Sequence, residues 1–234
     1  MHTFYCPDAV LGGQVFLSEQ EAAHCAKVLR LRQGERIEII DGKGNKFVAE
    51  ITLATKNVCS AKIIELQKNV FLRRYFNHIA VAPTKNVDRF EWMVEKAVEF
   101  GVDRITPLLC DHSERKVLKT DRLEKIIVSA VKQSGSVVMP VIDQLICFDD
   151  FLKSELPQFK FIAHCEDTQK QFINKVCIPE CQSVVLIGPE GDFSPREIAS
   201  ALEVGFTPIS LGNSRLRTET AGVAVCAFLA ALNC

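Results

Sequence analysis

Two short segments hold most of the residues able to do chemistry. Val184-Val185-Leu186-Ile187 runs into Gly188-Pro189-Glu190-Gly191-Asp192-Phe193-Ser194, and further on Leu211-Gly212 precedes Leu216-Arg217-Thr218-Glu219-Thr220-Ala221. Each joins an apolar, strand-like run to glycine, which lets backbone approach a ligand closely or adopt positive φ. Open α/β sheets place their sites at the carboxyl ends of strands, so two such junctions close together point to one ligand pocket. Its charged groups are few. Glu190 and Glu219 are carboxylates able to accept a proton or to partner a helix N-terminus, and Arg217 is a fixed cation able to hold an oxygen or cap loop carbonyls.

The elements that must position these residues are well marked. Ser194 caps a helix, Pro195 suits its first turn, Glu197 completes a Ser-x-x-Glu box and Gly205 ends it. Thr218 is the expected cap of a second helix that continues to Leu232 and is apolar on every face. Such a helix must be buried all round, and a partner subunit is a natural cover for what the sheet leaves open. Upstream, Ile79–Ala82, a helix around Phe90–Phe100, Ile105–Leu109, Leu123–Val131, Phe159–Ala163 and Pro208–Leu211 alternate as strands and helices, which implies a mainly parallel sheet with covered faces. Trp92, at helical spacing with Phe100, reads as core.

The first part of the chain has a different pattern. A helix boxed by Ser18 and Glu21 carries a stripe of Ala22, Cys25, Ala26 and Leu29, and β-like runs follow at Arg36–Ile40, Lys46–Leu53 and Val58–Leu66, with Asp41–Gly44 as a turn. The expected division is a β-rich domain over residues 1–72 and an α/β domain over 73–234, with the boundary between Asn69 and Asn77. Residues 1–74 hold 11 Lys and Arg against 8 Asp and Glu, although the whole chain has a net charge of −1. Lys27, Arg30, Arg32 and Arg36, with Arg73-Arg74, are groups that can engage phosphates or form a solvated face.

Composition excludes several classes. The 234 residues are 47% hydrophobic and 24% charged, an ordinary globular balance for one or two domains. There is no signal-peptide pattern and no apolar run of membrane-spanning length, so the expected location is the cytoplasm. Ten scattered cysteines without a Cys-x-x-Cys pair fit reduced, buried thiols. His164-Cys165 with Cys177-x-x-x-Cys181 is the nearest approach to a zinc cluster, and packing is the preferred reading; no metal is expected. A Gly-x-Gly-x-x-Gly dinucleotide loop and a P-loop are both absent from the sequence.

Gly188-Pro189-Glu190-Gly191-x-Phe193-Ser194, followed by Leu211-Gly212 and Leu216 to Ala221, resembles the bacterial 16S rRNA (uracil-N3) methyltransferase family of the SPOUT class. Lys85, Lys96-Ala97, Glu99 to Val102, Ile105-Thr106-Pro107, Glu114-Arg115 and Gln133-Ser134-Gly135 fall in the family's order. His24, Val28-Leu29-Arg30, Gly34 and Asp41-Gly42-x-Gly44 match its amino-terminal domain. The chain departs from the pattern at Lys132, Ser136, Asp192 and Ser214, with Arg215 next to the last of these.

The resemblance implies a PUA-like RNA-engaging domain, then a SPOUT sheet with a carboxy-terminal trefoil knot, working as a homodimer. It implies S-adenosyl-L-methionine held by loops after Ala163, Ile187 and Leu211, with Ile187, Gly188, Gly191, Leu211, Gly212, Leu216 and Thr218 as cofactor-binding residues. The implied substrate is a uridine of 16S rRNA, free or in the small subunit, methylated at N3. N3 must lose a proton before it attacks, and it lies on the pairing edge, so the base must be unpaired or turned out. Arg217, Glu190 and Glu219 are then the catalytic candidates, and Arg30, Arg32, Lys85 and Arg115, with Arg89 and Arg122, candidate phosphate contacts. His24 reads as packed or RNA-positioning. Two other functions fit part of the pattern: a noncatalytic ribosome-assembly protein of the same fold, and a SPOUT enzyme acting on a ribose hydroxyl or a tRNA base.

Overall fold

The computed structural model describes residues 1–67 and 73–233. The chain divides into two compact units, residues 1–72 with 131–139, and 73–130 with 140–234. Part of the expected boundary, residues 69–72, lies outside the described residues.

The first unit is a five-stranded sheet. It contains β1 (Thr3–Tyr5), β2 (Gln14–Phe16), α1 (Glu19–Ala23), β3 (Arg36–Ile40), β4 (Lys46–Ala54) and β5 (Cys59–Gln67), ordered β1-β3-β4-β5-β2. Ile37, Ile39, Phe47, Ile51 and Ile63 fill its core with Phe4, Ala22 and Cys25. Ser18 Oγ accepts from Glu21 N, as the cap pattern predicts, and α1 continues as a π turn over His24–Val28. β1 and β2 carry no periodic signal, since a three-residue edge strand is too short to show alternation. Residues 131–139 join this unit through a bridge between Lys43 and Val138 and through Met139 N donating to Gly42 O at 2.9 Å. Lys132 ion-pairs with Glu21.

The second unit is an α/β sheet with parallel pairings throughout. Its elements are β6 (Phe76–Val81), α2 (Val87–Glu99), β7 (Arg104–Leu109), α3 (Thr120–Ser134), β8 (Val141–Ile142), β9 (Ile146–Cys147), α4 (Phe148–Leu152), β10 (Phe159–Ala163), β11 (Gln171–Phe172), α5 (Ile173–Val176), β12 (Gln182–Ile187), α6 (Pro195–Glu203), β13 (Thr207–Ser210) and α7 (Thr218–Leu232). Strand order is β11-β13-β10-β12-β6-β7-β8, with β9 also on β7. β12 and β6 are central and buried on both faces, which is why Val184 to Ile187 reads as a continuous apolar run. β10 lies between β12 and β13 and runs parallel to both, so the loops after Ala163, Ile187 and Ser210 emerge at the same end of the sheet.

α6 has the expected capping box: Ser194 Oγ and the Glu197 carboxylate each accept from the other's backbone N–H, and Gly205 lies at φ +89° after the last turn. α7 differs from expectation twice. Its cap residue is Arg217, not Thr218, because Thr218 already has helical geometry and spends its hydroxyl elsewhere. The helix is also not buried all round: Val225, Cys226 and Leu229 face the interior, where α7 packs on α2, whereas Phe228 is exposed. Trp92, expected in the core, is 46% exposed on α2, whose inward positions are taken by Phe90, Met93, Val94 and Ala97. Gly222 of α7 lets the two helices approach, for a Cβ there would stand 2.6 Å from Met93 Sδ.

Candidate active site

Three loops at the carboxyl ends of β10, β12 and β13 enclose a cavity of about 890 Å³. Ala163, Ile187, Ile209, Leu211 and Leu216 give it apolar wall, and Gly188, Pro189 and Gly212 also line it. Six of the seven cofactor-binding residues expected from sequence line it: Ile187, Gly188, Leu211, Gly212, Leu216 and Thr218. Gly191 does not. It lies outside the cavity against His112, whose Nδ1 contacts the carbonyls of Gly191 and Asp192 at 3.0 Å, and a Cβ on Gly191 would stand 3.0 Å from His112 Cβ. The glycine there shapes the turn of the loop.

Hydrogen bonds lock the three loops to each other. Thr218 Oγ1 donates to Gly188 O at 3.0 Å, joining the start of α7 to the end of β12. Asp192 takes the left-handed conformation at φ +63°, a position where glycine would be unstrained. It compensates through its carboxylate: Oδ1 accepts from Phe193 N at 2.9 Å and Oδ2 from Cys165 N at 2.6 Å, tying the β12 loop to the β10 loop. Gly188 has no room for a side chain, since a Cβ would stand 3.0 Å from Phe193 N. Gly212 is different. Its added Cβ meets nothing within 4 Å, but its φ of +145° is one that L side chains rarely adopt. Gly212→Val is therefore expected to leave unfolding unchanged and to weaken binding in the cavity at least tenfold, by calorimetry, because relieving about 1–3 kcal/mol of backbone strain must reshape the loop. Unchanged binding would remove Gly212 from the site.

The charged residues are arranged unequally. Arg217 lines the cavity, and among the described residues its guanidinium has no hydrogen-bond or ion-pair partner. Glu219, on the first turn of α7, is buried and ion-paired with Arg89 at 3.7 Å. Glu190 is exposed on the rim: Oε1 accepts from Lys85 N at 2.9 Å, and its carbonyl receives Arg215 Nη2 at 3.5 Å. Arg217, Glu190 and Glu219 thus share one cavity, as their spacing suggested. Ser214 also lines it.

Of the candidate RNA contacts, Arg89 lines the cavity, where it pairs with Glu219. Arg30 and Arg32 are exposed in the first unit, Arg30 at φ +56°. Lys85 ion-pairs with Glu114 at 2.7 Å, which raises its pKa, and Arg115 donates from Nε to Thr84 O and from Nη2 to Lys85 O. Arg115 therefore shapes the Lys85 loop, and Arg122 is bound to Glu91 at 2.7 Å. His24 is exposed. Cys177 and Cys181 are buried with sulfurs 3.7 Å apart, but His164 and Cys165 do not join them; among the described residues there is no cluster of three or more metal-binding side chains. All described cysteines are free thiols.

Sequence reasoning did not select His164 and Lys170 for this site. Both line the cavity, and Lys170 Nζ donates to the carbonyls of His164 and Glu166. The only signal was position, one residue past the strand end at Ala163.

A parallel α/β sheet whose adjacent strand ends build one mostly apolar, backbone-rich cavity defines a protein of the small-molecule-using α/β class, with the size of a cofactor site. A family model for an RNA methyltransferase domain matches residues 74–230, and one for an RNA methyltransferase PUA domain matches residues 17–68. The chain belongs to the RNA methyltransferase family, in its SPOUT class with an amino-terminal PUA domain. Among solved structures, a probable rRNA-methyltransferase from Porphyromonas gingivalis is 38% identical, covering 100% of this chain and 98% of that one, with TM-score 0.92. A ribosomal RNA small subunit methyltransferase E from Neisseria gonorrhoeae, bound to S-adenosyl methionine, is 29% identical over 100% of this chain and 98% of its own, with TM-score 0.89. The Rickettsia conorii protein of that name is 26% identical over 90% of this chain and 86% of its own.

Proposed function

We propose that this enzyme transfers a methyl group from S-adenosyl-L-methionine to N3 of a uridine in the 16S rRNA of the small ribosomal subunit. The observation that carries the reading is the three-loop cavity, together with the relatives named ribosomal RNA small subunit methyltransferase E that match most of the chain. The cavity fits the cofactor: it has the volume for a nucleoside with an amino-acid tail, apolar wall for a base, and a buried imidazole with no partner. Ile187, Gly188, Leu211, Gly212, Leu216 and Thr218 would hold it. When bound, it supplies a methyl group already activated on a sulfonium.

The chain's own part is positioning and proton management. The free guanidinium of Arg217 holds a uracil carbonyl oxygen and stabilises the charge that spreads into the ring when N3 loses its proton. Three carboxylates line the cavity. Asp192 gives both oxygens to backbone N–H groups, which leaves Glu190 Oε2 and Glu219 as the acidic groups able to take that proton. Arg30 and Arg32 of the PUA domain, and Lys85, serve as phosphate contacts. Arg115 supports the backbone from which Lys85 projects.

The domain division at residues 72 and 73, the trefoil knot, a homodimer and a cytoplasmic location complete the proposal. The dimer is supported by Phe228 of α7 and Trp92 of α2, exposed on two helices that pack together. No helix among the described residues is long and apolar enough to cross a membrane. The deciding experiment incubates the protein with labelled cofactor and small subunits lacking the modification, then digests the RNA to nucleosides. N3-methyluridine is expected; a ribose-methylated nucleoside, or no product with intact subunits, would overturn the assignment.

A further inference from the structure

Among the described residues, His164 is the one cavity-lining side chain whose polar atoms are buried and unused. It is 8% exposed, and neither Nδ1 nor Nε2 has a hydrogen-bond partner among the described residues. An unsatisfied buried donor or acceptor costs about 1–3 kcal/mol, so a side chain with two of them beside a cavity gains from any turn of its ring that presents a nitrogen to a ligand. The residue is also held in place. Lys170 Nζ donates to its carbonyl at 2.9 Å, and the Asp192 carboxylate fixes the next residue through Cys165 N.

We infer that His164 recognises the adenosine half of the methyl donor, pairing with a donor and an acceptor of the nucleoside rather than with the methionine carboxylate. The inference rests on the cofactor reading above. Two features favour the nucleoside. A neutral imidazole presents one N–H and one bare nitrogen, a combination that an adenine edge or a ribose hydroxyl satisfies and a carboxylate, which only accepts, cannot. The charged groups facing His164 are Lys170, Asp192 and Glu166, and two of the three are acidic and repel a ligand carboxylate. Burial and then Lys170 push the imidazole's pKa below its ordinary 6.5, against the opposing pull of Asp192 and Glu166, so the neutral form is the one present at pH 7. Because binding uses that neutral form, affinity is flat at neutral pH and above and falls as pH drops through the lowered pKa.

The test is calorimetric binding of S-adenosylhomocysteine and of 5′-methylthioadenosine, which keeps the nucleoside but lacks the amino-acid carboxylate. His164→Phe is expected to weaken both by about tenfold or more, and His164→Asn, which restores a donor and an acceptor, to recover part of the loss with no fall in affinity at acid pH. If His164→Phe misfolds by circular dichroism, the Asn variant alone still decides the pH arm. Loss for S-adenosylhomocysteine with methylthioadenosine unaffected would move His164 to the methionine half and overturn the inference. So would unchanged affinity for both with slowed transfer, which would make it a proton acceptor. Failure of the wild-type protein to bind either compound would instead overturn the cofactor reading itself, and this inference with it.

Discussion

Arg217→Ala is expected to slow methyl transfer by about 10²-fold or more while leaving cofactor affinity within about threefold. The residue stands at the start of α7, where its backbone carbonyl accepts from Ala221 N at 2.8 Å and its side chain makes no capping bond. Alanine keeps that backbone contact, so the helix and the Thr218 link to Gly188 survive. What is lost is a cation facing the cavity that no described residue neutralises. Single-turnover transfer to RNA, beside calorimetry with the cofactor, separates the two effects. Arg217→Lys should recover little, because a planar fork that grips a carbonyl is not reproduced by an ammonium. Wild-type turnover in the alanine variant would show that the guanidinium does no more than cap a loop.

The largest effect on stability should come from Glu197→Ala, about 3 kcal/mol, although Glu197 touches neither the cavity nor any ligand group. The side chain is fully buried, with Oε1 accepting from Asp111 N at 2.9 Å and Oε2 from Ser194 N at 2.8 Å. Removing it orphans two backbone donors, each worth about 1–3 kcal/mol, and unlatches the loop after β7 from the start of α6. Ser194→Ala, which removes the other half of the box, should cost nearer 1 kcal/mol. Urea unfolding with an unchanged slope would measure both. Equal, small losses would mean that the buried carboxylate is replaced by water rather than missed.

The sequence made the central sheet legible because its strands are buried on both faces. Val184–Ile187 reads as an unbroken apolar run and Phe159–Ala163 as one interrupted only by Lys160, and they appear as β12 and β10. The capping box at Ser194 and the stop at Gly205 were legible for a local reason: both depend on neighbours within one helix. What failed depends on distant partners. Thr218 looked like a cap, but its hydroxyl bonds a carbonyl thirty residues earlier. Trp92 looked like core, but four apolar neighbours on α2 fill the inward face first. His164 looked like packing, and only the three-dimensional arrangement shows two ring nitrogens with nothing to bond. Gly191 carried the glycine signal of a ligand loop, yet it is the close approach of His112 that requires it.

The cavity's walls come from β10, β12 and the stretch between β13 and α7, and Thr218 closes the last of these onto Gly188. During synthesis, β6, α2 and β7 emerge, and the two strands can pair, well before that closing residue exists. A nascent chain therefore folds most of its sheet without a cofactor site, and the stabilisation that a bound ligand contributes by mass action reaches only chains synthesised past α7. High cellular levels of the methyl donor would protect the finished enzyme from unfolding and offer nothing to its truncated or stalled precursors.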